Sequence, residues 1–585
     1  MTTKSEVFDL APAASPLAAI TAGAAERITG LHALSELYEA MPRTEHEPFF
    51  ETIRRSLGLS CEVSSEDLAK IPATGPVIVV ANHPFGAAEG IVLARILGSV
   101  RADVRLLANH LLGRIPELRD DLILVDPFRP GASTANVLGI RNAVTHVRNG
   151  GMLATFPAGA VSHLHLDRWS VEDPPWNPHI ARLIRRTKAT VLPVYFPGAN
   201  GPLFQLAGLV HPTLRTALLP HALLDRRHTN IAMRIGSPIA FSRLTHLETD
   251  EALIDYLRRR TYVLTSRTTA PTATKIERRG HHGVIAPPIP AATLAREVRA
   301  LPRENTLSSS GELDVILAPA AAIPNVLQEI GRLREITFRA VGEGTGKAID
   351  LDAHDSFYLH LFLWNRDREE LAGAYRIGVV DEVVPRYGVA GLYTAKLFRY
   401  SPMFFKQLGG HAVEMGRSWV RPEYQKSYAP LLLLWKGIAG FARRDPRHCV
   451  FFGPASISNE YTSRSRAMLA KYLMRVAVAP ELAPHVKSQT PFRGPKDVDA
   501  PDDFDEMQDL LQELENGQRA VPVLLRQYLN VGGRVAALNV DRDFSSVLDA
   551  LVIVDLRKTP EKMLARYMTN EGARDFFAFH QKREE

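Results

Sequence analysis

Short apolar runs alternate with amphipathic stretches through the first half of the chain. VIVVAN (77–82), VRLLAN (104–109), DLILVD (121–126), MLATFP (152–157) and TVLPVYF (190–196) are runs of strand length. Their lack of internal polar alternation predicts strands buried on both faces. Between them, EGIVLARILGSV and NVLGIRNAVTHVRNG place apolar residues at helical spacing. Residues 10–60 also read as helical, with Pro42 closing the pattern. Strand and helix in alternation predict an α/β domain with a mainly parallel sheet, whose sites form at the carboxyl ends of the strands.

The pattern breaks at TSRTTAPTATKIERRGHHGVIAPPIPAA (265–292), which is rich in Thr, Pro and charge. This predicts a first domain over 1–275 with its core at about 70–245, a linker over 276–310, and a second domain over 311–585. The second half opens with the strand LDVILAP and the helix NVLQEIGRLREITFRAV, followed by the strands YLHLFLWN, ELAGAYRIG and VEMGRSWV. The helix LLLLWKGIAGFARR comes next. The acidic stretch at 497–516 reads as a solvated loop or helix face.

Composition narrows the function classes. The 585 residues include only two cysteines, Cys61 and Cys449, which excludes a disulfide framework and any multi-cysteine metal site. No metal site is expected. The net charge is +6, and residues 1–280 hold most of the excess, with 31 basic against 26 acidic side chains. That balance suits a membrane surface or an acidic carrier protein, and no nucleic-acid signature accompanies it. Glu6 and Asp9 stand where an export signal needs positive charge. The longest uncharged run, 189–214, is broken by four prolines, so no spanning helix is expected. Within it, residues 200–220 fit either core packing or a membrane-facing entry for an acyl chain.

The first candidate site follows the first strand, where VIVVANHPFGAAEG leaves Asn82, His83 and Glu89 in and after a turn. A histidine beside a carboxylate can take a proton from a hydroxyl, the carboxylate fixing the ring tautomer. In FPAGAVS (156–162), Phe156, Pro157, Gly159 and Ser162 belong to a loop whose N–H groups could bind an oxyanion. Spacing alone favours an ordinary loop histidine and turn glycines. NHPFGAAEG, LILVDPF, FPAGAVS and VLPVYFPGAN together resemble the four ordered blocks of the glycerolipid acyltransferase superfamily, over roughly residues 70–245. The resemblance implies His83 as the base that activates an acceptor hydroxyl against an acyl thioester, with Glu89 as its partner. Five residues separate His83 from Glu89 where the family has four, and the acid is Glu rather than Asp. Ala158 replaces the third block's Glu, and Val125-Asp126-Pro127-Phe128 lacks the second block's Arg. These departures point away from a phosphorylated glycerol acceptor.

The second candidate site is VEMGRSWVRPEYQKSYAPLLLLWKGIAGF, a strand, a loop and a helix. Glu414 could take a proton from an ammonium group, Arg417 and Arg421 could hold anions, and the helix amino end could face a pyrophosphate. A surface Glu–Arg pair fits the same residues. The region resembles GNAT-type N-acyltransferases, in particular the branch of acyl-homoserine-lactone synthases and ornithine N-acyltransferases. LREITFRAVGEGTGKAIDLDAHD (333–355) matches that branch's substrate-enclosing amino end, and EMGRSWVRPEY (414–424) matches its Glu-x-x-Arg strand. The pyrophosphate loop is reduced to QKSYA, which points to an acyl carrier protein with its phosphopantetheine thioester as donor, acyl-coenzyme A being the alternative. Asp350, Asp352 and Asp355 are candidates for binding a cationic amino acid, or form a solvated acidic turn.

The two halves together resemble the bifunctional ornithine lipid synthases of bacteria, a likeness that reaches the late stretch PVLLRQYLNVGGRVAALNVDRDF (522–544). It implies N-acylation of ornithine with a 3-hydroxyacyl group by the second domain, then O-acylation of the lyso-ornithine lipid by the first. The enzyme would work in the cytoplasm, peripherally on the inner face of the membrane, without a tightly bound cofactor. Three other readings stay open: a glutamine or glycine head group, a lysophospholipid acyltransferase with a non-catalytic second half, and a membrane-binding protein without catalysis.

Overall fold

The computed structural model describes residues 29–42, 47–125, 134–167, 169–267 and 283–584. Its contacts divide the chain into two units, 1–271 and 272–585.

In the first unit each apolar run forms a strand: β1 (Val77–Ala81), β2 (Val104–Asn109), β3 (Leu122–Val125), β4 (Met152–Thr155) and β5 (Thr190–Tyr195). With the short β6 (Arg234–Ile235) they make a six-stranded sheet in the order β6-β5-β1-β4-β2-β3, parallel except for the β6 edge. Period-two alternation sends Val77, Val79 and Ala81 to one core and Ile78 and Val80 to another. The first core is completed by Leu93 and Leu97 of helix α1 (Ala88–Gly98). The second is completed by Ile184 of α2 (Pro178–Thr187) and Leu253 and Leu257 of α3 (Asp250–Tyr262). A sheet covered on both faces explains why all five residues of β1 are buried. The helix expected over 136–150 is present as Thr134–Arg148, and one ends just before Met41 (Leu31–Ala40). The expected helical residues 10–28 lie outside the described residues, as do Asp126, Pro127 and Phe128.

The second unit is an eight-stranded sheet built from β7 (Thr306–Ser310), β8 (Leu313–Pro319), β9 (Leu359–Asn365), β10 (Glu370–Val379), β11 (Ala412–Val420), β12 (Val450–Ile457), β13 (Arg534–Asp541) and β14 (Val547–Asp555). The order is β7-β8-β9-β10-β11-β12-β14-β13, antiparallel except between β11 and β12. Helix α4 (Pro324–Ala340), with proline in its first turn, packs Val326, Ile330 and Leu333 against Ile316 and Phe362. Helix α5 (Ala429–Arg444) lies against the alternate residues Val315 and Leu361, so closely that a side chain at Gly437 would strike Val315.

Two sequence expectations need correction. Residues 291–310 are no linker: the helix Ala291–Arg299 places Leu294 and Ala295 in the second unit's core, and β7 is the sheet edge. The acidic stretch near 500 is not simply solvated, because the helix Phe504–Leu514 buries Glu506, Asp509 and Glu513 together with its leucines.

Candidate functional sites

In the first unit the turn after β1 is pinned before it carries any chemistry. Asn82 exchanges two hydrogen bonds with the backbone of Phe196 beyond β5, donating at 2.8 Å and accepting at 2.7 Å. His83 Nδ1 lies 3.0 Å from Glu89 Oε1 in an ion-pair contact, not aligned along the ring N–H direction. That same oxygen accepts the N–H groups of Phe85 and Gly86, both at 2.9 Å. The extra residue in the turn is thus absorbed by Gly86 in a left-handed conformation (φ 101°), and Glu89 on the first turn of α1 still reaches the ring. Glu89 is fully buried. Burial pushes its carboxyl up, but the charge of His83 and the hydrogen bonds to it win, and the group sits below its ordinary value. The His83 ring stacks on Phe156 with centroids 4.4 Å apart.

In the 156–162 loop, two of the backbone N–H groups expected to face an oxyanion are already committed. The N–H of Gly159 is spent on the Phe156 carbonyl at 3.0 Å and that of Ser162 on the His83 carbonyl at 2.8 Å, so neither is open to an oxyanion. Pro157 has no N–H, and its carbonyl accepts Asn177 N–H at 2.9 Å. Phe156, Pro157, Gly159 and Ser162 therefore shape the histidine's surroundings. Sequence reasoning missed Asp173. Buried and 90 residues from His83, it accepts the His83 N–H at 3.1 Å, the Ser162 hydroxyl at 2.5 Å and the Trp176 indole N–H at 2.9 Å. No local pattern marks it.

The 200–220 segment resolves toward an exposed apolar face. On the helix Pro202–Val210, Phe204 packs inward, while Leu203, Leu206 and Val210 are 64%, 59% and 77% exposed. Leu111, Leu112, Val137, Leu138 and Ile140 are also exposed, each just past the carboxyl end of a parallel strand or on the helix that follows it.

In the second unit the site lies where two strands part. β11 and β12 pair only through Ala412–Val450, Val413–Phe451 and Glu414–Phe452. Beyond that point β11 stays with β10 and β12 with β14. At the parting, a side chain on Gly453 would lie 2.0 Å from the Met415 carbonyl oxygen, so only glycine fits. A bulge follows: Gly416 faces Arg376 and Trp419 faces Ala374, leaving Arg417 left-handed at φ 51°. The wedge leaves strand edges of β11 and β12 facing each other without a shared ladder.

Glu414 sits at the wedge's closed end and is 1% exposed. Its Oε1 accepts the Thr394 N–H at 2.8 Å and the Thr394 hydroxyl, and its Oε2 accepts the Tyr393 N–H at 2.9 Å and the Tyr358 hydroxyl. Both oxygens thus already accept two hydrogen bonds each, none of them from the wedge. The three aspartates are paired with arginines. Asp350 and Asp355 are buried against the guanidinium of Arg334, at 3.0 and 2.9 Å, and Asp352 and Asp355 meet Arg376 at 2.7 and 3.2 Å. Arg417 Nε lies 3.5 Å from Asp350. Three carboxylates against three guanidiniums leave no net charge to attract a cationic substrate. Arg421 pairs with Glu370 at 2.7 Å and Glu423 at 3.3 Å, away from this group.

The unclaimed carboxyl is Asp549 on β14. It is buried, accepts the Ser456 hydroxyl at 2.7 Å, and is pushed up to about 7, first by burial and then by the charges of Asp541 and Glu343. Arg417, stacked over Tyr393 and Phe544 at 5.0 and 5.1 Å, acts on it in the opposite sense. Sequence patterning could not find Asp549, because it lies inside an apolar strand far from Glu414.

Residues 29–270 match the family model described as Acyltransferase, and residues 333–435 match the one described as Acetyltransferase (GNAT) domain. The chain joins an acyltransferase-type unit to a GNAT-type unit. It is 41% identical to a glycine N(alpha)-acyltransferase of Phocaeicola vulgatus over 160 residues, which is 26% of this chain and 49% of that protein. A lyso-glycine lipid O-acyltransferase of the same organism is 25% identical over 213 residues, covering 35% and 74% of the two chains. An L-ornithine N(alpha)-acyltransferase of Rhizobium meliloti is 24% identical over 286 residues, covering 47% and 91%. The chain spans about half the length of the glycine N-acyltransferases it matches. Among the described residues no helix is long and apolar enough to cross a membrane.

Proposed function

We propose that this chain builds a two-chain aminolipid by consecutive acyl transfers, with ornithine as the head group. Carrying this reading is the presence, in one chain, of similarity to amino-acid N-acyltransferases and to lyso-aminolipid O-acyltransferases. In the second unit, the α-amine of the amino acid attacks the thioester carbonyl of a 3-hydroxyacyl carrier protein lying in the wedge. Asp549 takes the ammonium proton, and the thiol leaves. Its raised value suits that exchange near neutral pH. Glu414 is a positioning residue that fastens the 392–396 segment, including the Tyr393 ring over which Arg417 stacks. Asp541 and Glu343, which act on Asp549 electrostatically, favour a cationic side chain and hence ornithine.

In the first unit, Nε2 of His83 takes the proton of the 3-hydroxyl, because Nδ1 already faces Glu89. The alkoxide attacks a second acyl thioester, and the imidazolium returns its proton to the leaving thiol. The exposed apolar residues past the strand ends support contact with a lipid surface, where the one-chain intermediate resides. A glycine head group is the second reading, favoured by the 41% identity to a glycine N-acyltransferase and by the neutralised aspartates.

Lipid mass spectrometry of a bacterial host that lacks aminolipids, expressing this chain with ornithine supplied, tests the proposal. Wild type should yield diacylated ornithine and His83→Ala the monoacylated form. The same two-chain pattern on glycine corrects the head group alone, and no new aminolipid in a well-expressing strain with 3-hydroxyacyl donors overturns the proposal.

A further inference from the structure

Three side chains outside both sites converge where the second unit's sheet is still closed. Asp381 follows β10, His411 immediately precedes β11, and His448 lies two residues before β12. His411 Nδ1 is 2.8 Å from Asp381 Oδ2, His448 Nε2 is 3.0 Å from Asp381 Oδ1, and the three donor atoms all lie within 4.8 Å of one another.

His448 gives this cluster its meaning. It is buried, its ring stacks on Phe441, and its second nitrogen, Nδ1, lies 3.4 Å from Asp445 Oδ2 in an ion-pair contact that is not aligned as a hydrogen bond. Asp445 is itself held by Arg447 at 2.6 and 2.9 Å. A neutral imidazole has one ring proton and two carboxylates to face. Nε2 of His448 faces both Asp381 oxygens, at 3.0 and 3.4 Å, an arrangement of donor atoms that a cation between them makes favourable. A histidine whose far nitrogen faces a carboxylate is the usual support of a metal ligand.

We propose that Asp381, His411 and His448 bind one divalent transition metal of the zinc type, with Asp445 orienting His448. Two imidazoles and a carboxylate are the donor set of zinc sites with three protein ligands and one open position. Metal–ligand bonds of about 2.0–2.2 Å need donors separated by about 3.3 Å in a tetrahedron, so the two His–Asp381 spacings of 2.8 and 3.0 Å open by a few tenths of an ångström while the two imidazoles, within 4.8 Å of each other, settle around the ion. His411 and Asp381 are half-exposed, which leaves a path from solvent. The pairing Val379–Val413 and Ala412–Val450 places the ion across the ends of β10, β11 and β12, two residues short of the parting at Glu414. There the metal fastens the closed end of the wedge and takes no part in acyl transfer. The three ligands stand 30 and 37 residues apart along the chain, which is why no spacing motif announced them.

The test is cobalt and zinc binding to the purified full-length chain after chelator treatment. Wild type should bind one Co²⁺ per chain with the visible bands of a four-coordinate ion, lose them to Zn²⁺, and gain about 5 °C in Tm at saturating zinc. His411→Ala, at the exposed edge, should lose the bands while remaining folded by circular dichroism. Asp445→Asn should keep them with affinity about 10–100-fold weaker. Absence of bands and of a zinc-dependent Tm shift in wild type would leave Asp381 as an ordinary acceptor for two histidines and overturn the proposal. Unchanged bands in His411→Ala would place the bound ion elsewhere and do the same.

Discussion

Glu89, on the first turn of α1, and Glu414, within β11, are both buried carboxylates, yet they are wired differently. Glu89 gives one oxygen to two backbone N–H groups and to His83, a ring that can pass a proton onward. Glu414 gives both oxygens to four donors from Tyr358, Tyr393 and Thr394, none of which relays a proton near neutral pH. Burial makes a carboxylate effective only as far as its hydrogen bonds leave it something to act on. By that measure Glu89 is placed to support a histidine base and Glu414 to hold its segment, and under the proposed mechanism the exchangeable proton of the second unit is assigned to Asp549.

The largest expected effect is at His83. His83→Ala should lower O-acylation of a lyso-aminolipid by about 10³-fold without changing N-acylation, measured with purified protein. Next comes the pH dependence of stability. The Asp549 carboxyl is raised from 3.8 to about 7, so between those values the folded state holds a proton that the unfolded chain has lost. Stability should therefore fall as pH rises through that window, by roughly 4 kcal/mol in all, and Asp549→Asn should flatten the decline. Denaturant titrations at pH 5 and 7.5 sample about 2.5 kcal/mol of that decline. Glu414→Gln places an amide NH₂ against N–H donors and should cost about 2–3 kcal/mol of stability, seen as a lower Tm. Smallest is the double substitution of Leu206 and Val210 by Asp, which should weaken binding to anionic vesicles about tenfold and leave turnover of a soluble short-chain substrate unchanged.

Much of the scaffold was legible because it is local. VIVVAN, MLATFP and TVLPVYF are apolar runs that only a doubly covered sheet can bury, and each became a strand. The His83–Glu89 contact was also legible, since the two residues share one turn. What stayed hidden depends on contacts between distant segments. Asp350 and Asp355 look like a solvated acidic turn until Arg334 and Arg376 are folded against them. The helix at 291–299 was concealed by the Pro-rich stretch before it, and its burial needs α4, which comes later in the chain. Asp173 and Asp549 belong to no motif, and only burial beside His83 or Arg417 gives them consequence.

The division between a positioning and a proton-accepting carboxylate is tested most directly by the pH–rate profile of N-acylation. The purified chain would be given 3-hydroxyacyl carrier protein and ornithine, and wild type, Asp549→Asn and Glu414→Gln compared at a temperature where all three are folded. The account predicts a wild-type rate that rises through about pH 7, loss of that limb with about a 10²-fold lower rate in Asp549→Asn, and the limb retained in Glu414→Gln. A limb that survives in Asp549→Asn and vanishes in Glu414→Gln would contradict it and return the proton to Glu414.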